Sequence, residues 1–117
     1  MILALLLSCG GDGSDSAITC DRDPPLTFHN FGESFMAKHC IGCHSVLHEG
    51  NLREGAPLGV DLNTYDDVLQ WAERIDARAL GSIDMPPGGG PSESERAMLA
   101  EWLECKVYPD KDAQEED

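Results

Sequence analysis

The stretch Cys40-Ile41-Gly42-Cys43-His44 decides how this chain is read. Two thiols three positions apart, followed at once by an imidazole, form the attachment pattern of a covalent c-type haem. Each thiol can add to one of the two haem vinyl groups, and a helical turn sets the two sulfurs at the required reach. His44 then lies under the ring, where it can bind the iron from the proximal side. Two other chemistries use the same residue types. A redox dithiol of the thioredoxin kind needs a βαβ pattern around it, and the sequence has none. A zinc site needs four ligands, and His39, Cys40, Cys43 and His44 would crowd them into six consecutive positions.

Working outward, Phe31, Phe35, Met36 and His39 recur at approximately helical spacing and predict a first helix leading into the motif. Pro24-Pro25 discourages helix and marks where the folded domain begins. Downstream, 45–63 is rich in glycine, contains Pro57 and shows no periodicity, which predicts a loop wrapping one edge of the haem. Thr64 is a candidate N-cap, with Asp66 and Asp67 in the positive first turn. Tyr65, Val68, Leu69 and Ala72 give one apolar face to a second helix running to about Leu80, where Gly81 ends it. Between 84 and 91, prolines and glycines exclude helix and central strand. Ser92 and Glu95 then form a capping box for a last helix, with Met98, Leu99, Trp102 and Leu103 on its apolar face and its end near Cys105. The residues beyond Asp110 read as a charged, solvated tail. No repeat and no credible strand is present, so the predicted class is all-α.

The sixth iron ligand separates electron transfer from gas binding or catalysis. Met85, 41 residues after His44, is the favoured candidate. Pro86 biases its backbone away from the helical region, Pro87 stiffens the segment, and Gly88 to Gly90 allow close approach to a flat ring. The alternative is that Met85 packs only as a loop residue. Met36 and Met98 fall on helices and read as core. His48 is too close to His44 to reach the opposite haem face, and His29 and His39 read as surface or supporting histidines. Arg74 and Arg78, four apart on the second helix, are candidates to pair with a haem propionate, as is Arg53 in the loop. Salt bridges to Glu73 or Asp76 are the plainer reading of the helical pair.

Taken in this order, the motif on a first helix, a Met-Pro-Pro loop and a last helix resemble a small class I cytochrome c domain over roughly residues 27–106. Gly32 sits where that family often carries a glycine that lets the first and last helices cross closely, and Trp102 where it carries an aromatic. Met36 stands where an aromatic is more usual, and a flexible thioether can fill that space. The resemblance implies three main helices around one covalently bound haem c, attached through Cys40 and Cys43 with His44 and Met85 as axial ligands.

The composition fits a domain completed by a cofactor. A chain of 117 residues with three Phe, two Trp and two Tyr has few large side chains for a core, and an apolar macrocycle would add buried area. A net charge of −14 argues against nucleic acid and for protein partners with basic patches, unless the acidity serves only solubility. At the N-terminus, residues 1–8 read as a signal segment, and Leu6-Leu7-Ser8-Cys9 resembles a bacterial lipobox, which implies acylation of Cys9 and a membrane anchor. No Lys or Arg precedes this short apolar run, a departure from the ordinary signal pattern. Residues 9–26 then tether the lipid to the domain, and 107–117 form the acidic tail. With Cys9 assigned to lipid and Cys40 and Cys43 to haem, Cys20 and Cys105 remain, and export to an oxidising compartment favours a bridge between them over two unpaired thiols.

The expected function is one-electron transfer between redox proteins by an exported, lipid-anchored electron carrier on the periplasmic side of a membrane, with no substrate pocket of its own. Two alternatives stay open: a five-coordinate haem domain acting as gas sensor or peroxidase, and an electron-relay subunit fixed in a larger oxidoreductase complex.

Overall fold

The computed structural model describes residues 18–83, 85–86 and 90–115. Residues 1–8, read above as a signal segment, and Cys9 lie outside them. Every regular element among the described residues is helical: α1 (Glu33–His39), α2 (Tyr65–Ile75), α3 (Glu93–Trp102) and α4 (Tyr108–Glu115). None is long and apolar enough to cross a membrane.

Three of the helical starts are chemically marked. Thr27 opens a wide helical turn, Phe28–Gly32, that runs without a break into α1; its hydroxyl accepts from Asn30 N–H while the Asn30 carboxamide accepts from Thr27 N–H. Thr64 and Asp67 do the same for α2, and Ser92 and Glu95 for α3. Each box satisfies two amides that the first helical turn leaves without partners. A second wide turn, Asp76–Gly81, continues α2 to the glycine expected to end it.

The last helix departs from expectation. It does not stop near Cys105: a wide turn over Leu103–Val107 joins α3 to α4, so helical structure continues to Glu115. The wide turn precedes Pro109, whose ring and missing N–H exclude an ordinary helical bond back to Cys105. Nor do residues 108–111 belong to a solvated tail. Tyr65 Oη donates to Asp110 at 2.7 Å, Tyr108 Oη donates to Asp76 at 2.7 Å, and Lys111 Nζ donates to Glu73 at 2.7 Å. Together these bonds fasten α4 along α2. Burial and the acidic partner each phenol faces hold both tyrosines protonated well above their usual range.

The core gathers Phe35 and Met36 from α1, Val68, Leu69 and Ala72 from α2, and Leu99, Trp102, Leu103 and Val107 from the last helix. Trp102 is fully buried, with ring centroids 5.7 Å from Phe31 and 6.0 Å from Tyr65. Gly32 lies directly beneath it: a Cβ there would fall 2.3 Å from the indole. Cys20 and Cys105 are bonded, which ties the segment before α1 to the end of the last helix across a separation of 85 residues. Closing a loop of that size stabilises by about 4–5 kcal/mol in the chain-entropy account.

Gly32→Val should lower the unfolding free energy by about 3 kcal/mol, because the indole has no room to move. Gly42→Ala, which meets no atom within 4 Å, should stay within about 0.5 kcal/mol of the parent. Urea titrations decide, and equal effects at the two glycines would contradict the close crossing. In the same assay, replacing both Cys20 and Cys105 by Ser should cost about 2–5 kcal/mol; an unchanged midpoint would show that the bridge contributes nothing.

Candidate functional site

The motif begins where α1 ends. Cys40 leaves helical geometry, and its carbonyl accepts from Cys43 N–H at 3.1 Å and His44 N–H at 2.9 Å. This tight turn presents both thiols and the imidazole to one cavity of about 270 Å³. The opposite end of the chain segment is fixed there too: His44 carbonyl accepts from Leu62 N–H at 2.8 Å.

The cavity has three further sources of wall. Arg53, Ala56, Pro57 and Val60 come from the loop after the motif, Trp71, Arg74, Ile75 and Arg78 from α2 and its extension, and Met85 and Pro86 from the segment before α3. Met85 N–H donates to Arg78 carbonyl at 3.1 Å, which holds the methionine segment against the end of the second helix. All seven residues assigned from sequence to the cofactor site, Cys40, Cys43, His44, Arg53, Arg74, Arg78 and Met85, therefore line one space.

His44 is held by a single bond of clear direction. Its Nδ1 lies 2.8 Å from Val60 carbonyl, and a carbonyl only accepts, so Nδ1 carries a proton and, in the neutral ring, Nε2 keeps its lone pair. That is the tautomer a metal-binding imidazole requires.

The Cys40 thiol is not poised as a nucleophile. Burial, with the Cys43 thiol beside it, pushes the Cys40 thiol up to about 12, whereas reactive dithiols need a depressed value. Among the described residues no group of three or more His, Cys, Asp or Glu side chains is placed to hold a metal ion, so His39, Cys40, Cys43 and His44 are not gathered into a zinc tetrad.

Arg53 occupies a different place from the one its sequence position suggests. It is 3% exposed, and its donors are engaged by the loop itself: Nε with Ala56 carbonyl, Nη1 with the carbonyls of Ser45 and His48 and with Asp61, and Nη2 with the carbonyls of Pro57 and Val60. It lines the cavity, but its hydrogen bonds go to the loop. Arg74 and Arg78 stand at the exposed part of the wall, with the Arg74 guanidinium 5.6 Å over the Trp71 ring. His48 and His29 do not line the cavity.

The contact between two supporting residues escapes a sequence reading. His39 lines the cavity with 7% of its side chain exposed, and its Nε2 lies 3.1 Å from Glu95 Oε2, the capping-box carboxylate of α3. Lys38 donates to the same oxygen at 3.2 Å. Glu95 thereby caps α3 and ties α1 to it. The Ser92 amide, with His39 and Lys38 behind it, pulls the Glu95 carboxyl down from its ordinary 4.5 to about 2. A capping box is visible in sequence, but a contact between residues 56 positions apart is not.

No family model matches the chain, and neither a curated protein nor a solved structure matches it.

The Glu95 link predicts acid sensitivity of definite sign. A carboxyl lowered in the folded state contributes stability above its unfolded value and loses it as pH falls from about 4.5 towards 2. Glu95→Gln keeps the shape of the cap and removes the charge, so its urea midpoint should fall less than the parent's across that window. Parallel curves for the two proteins would show that Glu95 is not coupled to folding.

Proposed function

We propose that this chain is a mono-haem electron carrier with a class I cytochrome c fold, exported and held at the periplasmic side of a membrane by a lipid on Cys9. The observation that carries the reading is that Met85 shares a cavity with Cys40, Cys43 and His44, although 41 residues of loop and helix separate it from His44. A methionine packed merely as loop filler has no reason to meet that motif.

The residues present fit the group. Cys40 and Cys43 would bond it, His44 would bind the iron through Nε2, and Met85 would offer a thioether as the second axial ligand. When bound, haem supplies a one-electron couple, and a thioether ligand sets its potential on the high side for c-type centres. The chain's own residues do the rest. Val60 holds the His44 proton on Nδ1, Phe35, Leu62, Ile75 and Ala79 make an apolar wall, and Arg74 and Arg78 bring positive charge to the exposed side, where guanidinium matches carboxylate.

The protonated Cys40 thiol disfavours a dithiol oxidoreductase. A methionine in the cavity favours six-coordinate iron over the open iron of a gas sensor or peroxidase. A relay subunit of a larger complex has the same chemistry and differs only in its partner. The net charge of −14 favours donors and acceptors with basic faces, whose encounter rate would fall as salt screens the attraction.

The test uses the chain matured in a host that attaches haem c, with spectra recorded oxidised, reduced, and reduced under carbon monoxide. The parent should show covalent low-spin haem indifferent to carbon monoxide. Met85→Ala should become high-spin and bind the gas. Ready binding by the parent would replace the carrier with the open-iron reading, and absence of covalent haem would remove both.

A further inference from the structure

The geometry points to Arg53 as a positioning residue for His44, acting through the carbonyl of Val60. Two donors converge on that one oxygen: His44 Nδ1 at 2.8 Å and Arg53 Nη2 at 3.1 Å. The inference deepens the haem reading, since His44 is the proposed proximal ligand, but the hydrogen-bond chain itself belongs to the polypeptide alone.

Arg53 is suited to the task by what else it holds. Its guanidinium reaches the outgoing arm of the loop at Ser45 and His48 and the returning arm at Ala56, Pro57, Val60 and Asp61. The planar fork has five N–H groups in fixed directions, so fixing some carbonyls fixes the others relative to them. Val60 otherwise contributes only a backbone turn, its N–H donating to Pro57 carbonyl at 3.2 Å. That bond and the one from Leu62 N–H to His44 carbonyl fix the chain on either side of Val60, and Arg53 is the second donor on the Val60 oxygen itself. Asp61, 2.9 Å from Nη1, balances the buried charge and leaves the carbonyls to set the geometry.

The consequence falls on the imidazole. With Val60 carbonyl fixed, the Nδ1 proton has an acceptor and the ring has one orientation, with Nε2 bare. Without the guanidinium the Val60 oxygen loses one of its two donors and the buried brace beside it, so the Nδ1–H bond opens more readily and either nitrogen can carry the proton. A loop that is merely stable would not produce this coupling. Asn63 provides the comparison, because it also braces the loop, accepting from Val46 N–H at 2.8 Å and donating to Ser45 Oγ at 3.0 Å, yet does not touch Val60.

The experiment is nitrogen-15 NMR of the His44 ring in the full chain, with and without haem, at mildly alkaline pH. Three forms are compared: parent, Arg53→Gln and Asn63→Ala. The parent should show a single Nδ1–H tautomer with a slowly exchanging proton. Arg53→Gln should speed that exchange at least tenfold and, without haem, populate the second tautomer. Asn63→Ala should lose stability and keep the parent's His44 signature. Equal changes in both variants would reduce Arg53 to a loop brace, and no change in Arg53→Gln would end the proposal. If Arg53→Gln does not fold, couplings across hydrogen bonds in the parent decide: the Val60 carbonyl carbon must couple to both His44 Nδ1 and Arg53 Nη2, and a missing coupling to either overturns the inference. A parent that takes up no haem would defeat the function proposed above and leave this measurement valid in the haem-free chain.

Discussion

The helical frame is built around one indole. Trp102, on the last helix, packs against Gly32 before α1 and within aromatic distance of Phe28, Phe31 and Tyr65, so all three helical segments take their spacing from it. Among the described residues its buried Nε1 has no hydrogen-bond partner. Leaving a donor unsatisfied costs about 1–3 kcal/mol, and burial of a large aromatic face returns a similar amount. The indole is therefore retained for shape rather than for net polar satisfaction. Its position matters to the site because α1 delivers Cys40, and the end of the same crossing sets where Glu95 meets His39.

The loop between Ser45 and Asp61 is organised on the opposite principle. Val46, Leu47, Leu52 and Leu58 are exposed, while Arg53 and Ser45 are each 3% exposed. An apolar centre would have needed those aliphatic side chains inside. Here the centre is a cation whose desolvation is offset by one carboxylate and five carbonyls, the arrangement that makes a buried charge tolerable. Such a centre orders backbone directly, since its partners are main-chain oxygens. That is how a stretch without extended regular structure can offer a defined carbonyl to His44.

Much of this was legible in the sequence because it was local. The boxes at Ser92 and Thr64 announce helix starts, the apolar repeat from Tyr65 to Ala72 announces the buried face of α2, and two leftover cysteines announce a bridge. The Gly32–Trp102 crossing came from resemblance, not from periodicity. What stayed hidden was non-local or inverted. Pro109 reads as a stop signal, and only the bonds from Tyr65, Tyr108 and Lys111 explain why helix persists past it. Arg53, a charged residue in a polar loop, reads as a partner for a propionate, because hydropathy has no signature for a cation that collects carbonyls.

The three arginines of the cavity divide two kinds of work. Arg53 is buried and has its hydrogen bonds committed, so its influence is geometric and little affected by salt. Arg74 and Arg78 are exposed on the wall formed by α2 and its extension, next to a local break in helical geometry at Trp71, with φ −107° and ψ 18°. Charges so placed act through water and weaken as salt rises. The chain carries only 8 Lys and Arg against 22 Asp and Glu, and three of the eight line this one cavity. At the cavity Arg74 and Arg78 stand exposed beside an apolar wall, with Glu54 also in the lining. Exposed guanidinium beside apolar surface suits a flat apolar molecule that carries carboxylates, and the proposed haem has both features.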